Sequence, residues 1–325
     1  MTTMKIFASA AVTGMVAGSV LLSAQVLKVD SGILPYSRTS GVSGSVNSVG
    51  SDTMNNMMTL WAETFRKFYP NVKIQVEGKG SSTAPTALIA GTAQFGPMSR
   101  QMRATEIDQF EARYGYKPTE LKTSYDALAV YVNKDNPIEK LSLAQVEAIF
   151  SKSRRRGHKE NVTTWGQLGL TGDWASRPIS LYGRNSASGT YGFFKELALK
   201  NGDFKDSVKE QPGSASVVQG VTEDRFGIGY SGIGYKTSGV KLVPVSETDK
   251  TAASDCSYAD VTSGKYPLWR FLYIYGNKAP NKPLDPLVAE FFKLIYSKEG
   301  QEVVVKDGYL PLPANLVKEE LAKLE

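Results

Sequence analysis

A repeated unit constrains this chain most: a short apolar strand pattern, a turn of glycine and hydroxyl residues, then a helix pattern. Val46 to Val49 reads as a strand and Gly50-Ser51-Asp52-Thr53 as a turn. The helix pattern that follows, Met54 to Tyr69, carries Met54, Met57, Met58, Trp61, Phe65 and Phe68 at spacings of three and four, and Pro70-Asn71 ends it. The unit then recurs. Val72 to Val76 alternates as a strand, Gly78-Lys79-Gly80-Ser81-Ser82-Thr83 leads into a helix over Ala84 to Ala90, and a strand at Gln94 to Gly96 precedes Ser99-Arg100 and a polar helix, Thr105 to Tyr114. This is the βαβ rhythm of an α/β lobe with a mostly parallel sheet.

Two long apolar segments, Ala127 to Val132 and Trp269 to Tyr275, could cross between this lobe and another. Between them lies a stretch with its own helices, near Leu143 to Phe150 and Gly192 to Leu199, and its own strands, near Pro178 to Tyr182 and Gly227 to Tyr230. The amphipathic patterns Pro286 to Ser297 and Glu299 to Asp307 then pack back onto the first lobe. The expected organisation is a lead-in over 25–45, flexible because it is rich in Ser and Gly, a first lobe from 46–127 and 270–325, and a second from 128–269. Two crossings leave a cleft between the lobes.

In α/β sheets ligands collect at the carboxyl ends of strands, where the next helices start. Three turns of the first lobe match: Ser51-Asp52-Thr53, Ser81-Ser82-Thr83 and Ser99-Arg100. Each one singly is also what a helix cap requires. The fourth turn, Arg184-Asn185-Ser186-Ala187-Ser188-Gly189-Thr190 ahead of Tyr191 to Leu199, is more specific. A helix start leaves backbone N–H groups unpartnered and carries partial positive charge, so an oxyanion there gains hydrogen bonds and dipole stabilisation. Ser188 and Thr190 add hydroxyls, Gly189 permits close approach, and Arg184 offers a planar fork to two oxygens.

The amino terminus indicates where the chain works. Lys5 precedes an apolar run from Ile6 to Leu22 that is short for a bilayer span and ends at Leu22-Ser23-Ala24, so residues 1–24 read as a secretory signal, with a retained anchor as the alternative. The single cysteine, Cys256, cannot form an intramolecular disulfide. A formal net charge of +6 supplies a field that draws anions, and only Lys152 to Lys159 forms a dense basic cluster, which reads as an exposed loop. It lacks the aromatic interleaving of a nucleic-acid surface, so no nucleic-acid partner is expected.

Taken together these residues resemble the periplasmic phosphate-binding proteins of bacterial ABC transporters, the PstS family. The resemblance rests on Gly50-Ser51-Asp52-Thr53-Met54, Gly80-Ser81-Ser82, Phe95-Gly96-Pro97-Met98-Ser99-Arg100, Ala127 to Asn133, Asn136-Pro137 and, above all, Arg184 with Ser188-Gly189-Thr190. It implies a two-lobed periplasmic-binding-protein fold, each lobe a mixed sheet flanked by helices, joined by two crossover strands. It also implies phosphate contacts from Ser51, Thr53, the backbone of Met54, Ser81, Ser82, Ser99, Arg100, Arg184, Ser188, Gly189 and Thr190, and delivery by a monomer to a membrane permease.

One departure bears on selectivity. Where some members place an Asp that accepts the proton of hydrogen phosphate, this chain has Ser99-Arg100. Asp52 could serve as acceptor or could cap a helix; Arg100 could add charge or sit in a salt bridge at the rim. Another tetrahedral oxyanion such as sulfate is therefore the alternative ligand. A secreted phosphatase is the enzymatic alternative, but metal-dependent hydrolysis needs clustered His, Asp and Glu, and the one histidine, His158, lies in the basic loop. No metal, organic cofactor or catalytic residue is implied.

Overall fold

A computed structural model describes residues 27–325, so the signal read at 1–24 lies outside the described residues. In chain order the elements are β1 (Ser45–Val49), α1 (Asn55–Phe68), β2 (Lys73–Glu77), α2 (Thr83–Ile89), β3 (Gly96–Met98), α3 (Ala104–Tyr114) and β4 (Thr119–Asn133). There follow β5 (Leu141–Ser142), α4 (Leu143–Phe150), β6 (Ser180–Arg184), α5 (Gly189–Leu197), β7 (Val208–Gln211), α6 (Ser214–Glu223), β8 (Gly227–Gly232), β9 (Val240–Val243) and β10 (Val245–Ser246). The chain closes with α7 (Tyr258–Thr262), β11 (Trp269–Gly276), α8 (Pro286–Ile295), α9 (Lys298–Lys306) and α10 (Ala314–Ala322).

The apolar face of α1 buries Met57, Met58, Trp61 and Phe65 against Phe291 and Phe292 of α8, Val304 of α9, and Leu272 and Ile274 of β11. Each such side chain contributes about 1.5–3 kcal/mol when removed from water. This is the core of the first lobe. The second lobe packs α4, α5 and α6 on β4, β6 and β8, with Val146, Phe150, Phe194, Val217, Val221 and Tyr230 at its centre. Residues 127–132 of β4 are buried on both faces of the sheet, which is why they read as a continuous apolar run.

The crossing is made by β4 and β11. Residues 119–127 of β4 pair antiparallel with β11 in the first lobe, and residues 128–133 pair antiparallel with β8 and β9 in the second. The principal sheet runs β3-β11-β4-β8-β6-β7, with β9 added on β4, while β1 and β2 form a parallel pair beside it.

Three expectations change. The first lobe is mixed and not mostly parallel, because β11 returns from the second lobe against both β4 and β3. Its third strand lies at 96–98 and not 94–96, since β11 provides its ladder and Phe95 makes only one bridge, to Ser48. The lead-in is anchored through part of its length: Ile33 is buried, Tyr36 bonds Tyr69 and Glu290 through its hydroxyl and Glu299 through its N–H, and the Thr39 N–H donates to Tyr69. Among the described residues no helix is long and apolar enough to cross a membrane.

Candidate functional site

The first turn after β1 is forced close to its neighbour. Gly50 sits so near the Pro97 carbonyl that any Cβ would overlap it, and the Ser51 N–H donates to that carbonyl at 2.8 Å. A single 3₁₀ turn over Asp52–Met54 then starts α1, with the Met54 N–H returning to the Ser51 carbonyl. Thr53, Met54 and Ser51 are buried, and the Ser51 hydroxyl has no hydrogen-bond partner. The turn is braced from behind by Tyr309, which donates to the Thr53 carbonyl at 2.8 Å, and by Tyr235, which donates to that of Asp52 at 2.9 Å.

The other first-lobe turns stand beside it. Gly80 holds φ at +112° with Ala187 of the second lobe against its Cα, a conformation and a closeness that select glycine. It carries Ser81 inward, where the Ser81 Oγ lies 3.2 Å from the Ser99 Oγ and accepts from the Ser99 N–H at 3.0 Å. Ser82 turns away and ties the lobes together, its hydroxyl and N–H both donating to the Ala187 carbonyl.

From the second lobe, Arg184 ends β6 and Ser188 caps α5 by accepting from the Thr190 and Tyr191 N–H groups. The helix therefore starts at Gly189, not at Gly192. A Cβ on Gly189 would overlap the hydroxyls of Ser81 and Ser99, so the missing side chain is what lets this helix start press onto the first lobe. The Thr190 Oγ1 lies 2.8 Å from that of Thr53. Ser51, Thr53, Ser81, Ser99, Gly189 and Thr190 are thus gathered from four turns of two lobes.

Arg184 is 1% exposed. Its guanidinium donates to the Ser214 hydroxyl at 2.6 Å and the Pro212 carbonyl at 3.1 Å, and Asp52 Oδ2 lies 3.1 Å from Nη1; its Nε has no partner. Burial pulls the guanidinium below its ordinary pKa, and the Asp52 charge opposes that shift. Asp52 does not cap its own helix. Its carboxylate accepts from the Ser214 N–H at 2.8 Å, so it caps α6 in the opposite lobe while pairing with Arg184.

Arg100 is not brought into this cluster by its guanidinium. Both Nη atoms pair with Glu106 at 2.7 Å; burial raises the Glu106 pKa, but the hydrogen bonds from Arg100 and Arg103 outweigh it and hold the carboxyl below its usual value. Arg100 lines a neighbouring cavity of about 560 Å³ with Arg103, Tyr191, Phe193 and Tyr273. The basic loop is also engaged: Arg155 and Arg156 donate to the carbonyls of Lys200 and Ala198 beyond the carboxyl end of α5, so that helix meets guanidinium groups where its dipole is negative.

Sequence reasoning missed a buried pair behind the turns. Arg270 on β11 and Asp126 on β4 are cross-strand neighbours, 3% and 0% exposed, joined at 2.7–2.8 Å. The signal was present: a single charge abutting or interrupting each apolar crossing.

A family model described as a PBP superfamily domain matches residues 37–299. The phosphate-binding protein PstS of Pseudomonas aeruginosa is 56% identical over 309 residues, which cover 95% of this chain and 96% of that one. A Clostridium perfringens substrate-binding protein solved with bound phosphate superposes with a TM-score of 0.69 at 25% identity, over 83% of this chain and 100% of its own. An ABC-type phosphate transport receptor from Vibrio cholerae has the same fold, with a TM-score of 0.63 at 22% identity over 82% of this chain and 100% of that one.

Proposed function

This chain belongs to the PstS family of phosphate-binding proteins, and we propose that it captures inorganic phosphate between its lobes in the periplasm and presents it to an ABC-transporter permease. One observation carries the reading: the start of α5 meets Ser81, Ser99 and Thr53 of the opposite lobe, and two donors at that junction, the Ser51 hydroxyl and Arg184 Nε, are buried without partners. Buried donors lacking acceptors are costly in a finished protein interior, and a tetrahedral oxyanion supplies the acceptors.

On this reading the first lobe comprises 46–127 and 270–325 and the second 128–269. Ser51, Thr53, the Met54 backbone, Ser81 and Ser99 meet the anion from one side, and Arg184, Ser188, Gly189 and Thr190 from the other. Ser82 and Arg100 shape the site, Ser82 by tying Gly80 to Ala187 and Arg100 by fixing the segment after β3 to Glu106. Closure removes water and strengthens each charge-assisted hydrogen bond. A monomer secreted through residues 1–24 suffices, with no metal and no chemical step. Isothermal titration with phosphate, sulfate and arsenate tests this: phosphate and arsenate should bind at one site per chain. Saturation by sulfate at lower concentration than phosphate would reassign the ligand.

A further inference from the structure

The crossing strands carry a guanidinium that reaches both halves of the site. Arg270 Nη1 donates to the Ser99 carbonyl at 2.7 Å, on the first-lobe turn after β3, and Nη2 donates to the Thr190 hydroxyl at 2.9 Å, on the first turn of α5 in the second lobe. Its Nε donates to Asp126 Oδ2 at 2.8 Å, while Asp126 Oδ1 accepts from the Ile233 N–H at 3.1 Å. Phe193 lies against the guanidinium at 5.1 Å from its ring centre. Each nitrogen of the guanidinium is therefore engaged, with one arm on each lobe and its stem on the hinge.

Two consequences follow from donor chemistry. Arginine has no acceptor, so the Thr190 oxygen must accept from Arg270, and the Thr190 proton is left to be donated, to Thr53 or to an anion. The arm to Thr190 also joins a hinge strand to an element of the opposite lobe and forms only when α5 is seated on the first lobe. We infer that Arg270, held by Asp126, is a positioning residue for capture: it fixes the Thr190 hydroxyl as a donor and locks the closed arrangement. The inference rests on the phosphate-binding reading given above.

Binding and release of radiolabelled inorganic phosphate by the full mature chain decide it. Arg270→Lys keeps the charge beside Asp126 but cannot serve Ser99 and Thr190 with one fork. It should release phosphate about tenfold faster, the worth of roughly one charge-assisted hydrogen bond, with capture changed less than about twofold, because the lost contact forms after encounter. Thr190→Val in the Arg270→Lys background should add less than it does alone, since both act through one contact. The double variant Arg270→Gln with Asp126→Asn removes both buried charges together, retains an acceptor for Ile233, and should show the same faster release.

Release at the wild-type rate in Arg270→Lys and in the double variant overturns the proposal, as does slowed capture with unchanged release, which would make Arg270 a source of attraction only. A wild-type chain that takes up no phosphate overturns the phosphate reading, and this one with it.

Discussion

At the scale of single residues, Arg184 is the buried charge of the proposed site, and its Nε has no partner. Arg184→Ala should weaken phosphate binding at least tenfold by calorimetry, since a charge-assisted contact to a buried anion contributes roughly 1.5–3 kcal/mol, and Arg184→Lys should recover only part. The proposed role of Ser99 concerns selectivity. Its hydroxyl lies within overlap distance of a Cβ on Gly189, so Ser99→Asp would set a fixed negative charge at the start of α5. Both anions should weaken at pH 8, sulfate more than phosphate, because only hydrogen phosphate can donate to the new carboxylate; an unchanged ratio would place the proton acceptor elsewhere. Asp307 bears on stability. Burial pushes its carboxyl up to about 7, and its Oδ2 has no hydrogen-bond partner. The folded state therefore holds that proton more tightly than the unfolded chain, so stability falls as pH rises from about 4 to 7 and is level above. Asp307→Asn should abolish this fall and, after allowance for partial exposure, gain roughly 1–2 kcal/mol over wild type above pH 7 but not near pH 4, read from urea midpoints across pH.

At the scale of elements, the proposed contacts concentrate at the start of α5, where Ser188 caps the helix and the sequence showed Ser188-Gly189-Thr190. What the sequence did not convey was why Gly189 is glycine. The expected reason was approach of an anion; the structure adds the approach of Ser81 and Ser99 from the other lobe. Gly189→Ala should therefore leave the thermal midpoint of the unliganded chain within a few degrees of wild type, since the helix itself tolerates alanine, while phosphate affinity collapses by at least about a hundredfold because the lobes cannot meet. Calorimetry beside thermal unfolding separates the two effects. Elements with strong apolar periodicity, such as α1, α4 and α8, were legible at nearly their observed bounds. The helices α6, α7 and α10 were not. In α6 small and hydroxyl residues dilute the apolar signal, and in α7 five residues are too few for a period to show. Asp52 was also opaque, because the helix it caps is 162 residues away.

At the scale of the molecule, the two-lobed plan was legible because two apolar crossings bracket a segment with its own strands and helices. The two charges on those crossings were visible, but their pairing was not, because Asp126 and Arg270 become neighbours only through the register of β4 on β11. The same topology dictates how the molecule can move. Every proposed anion contact belongs to one lobe or the other, and the lobes are joined by β4 and β11 and by bonds across the seam, among them Thr53 to Thr190, Ser82 to Ala187, Asp52 to Arg184 and Ser214, Tyr235 to Asp52 and Arg270 to Thr190. A neutral seam bond adds about 0.5–1.5 kcal/mol to the closed form, so the balance between closed and open forms is one that a ligand bridging the turns can move. Phosphate, binding both faces at once, should shift that balance. Small-angle scattering of the mature chain should show a smaller radius of gyration at saturating phosphate than in its absence, and Asp52→Asn, which weakens the seam by its charge, should enlarge the unliganded molecule more than the liganded one. Superimposable curves with and without phosphate would mean that the site is preformed and that closure does not accompany capture.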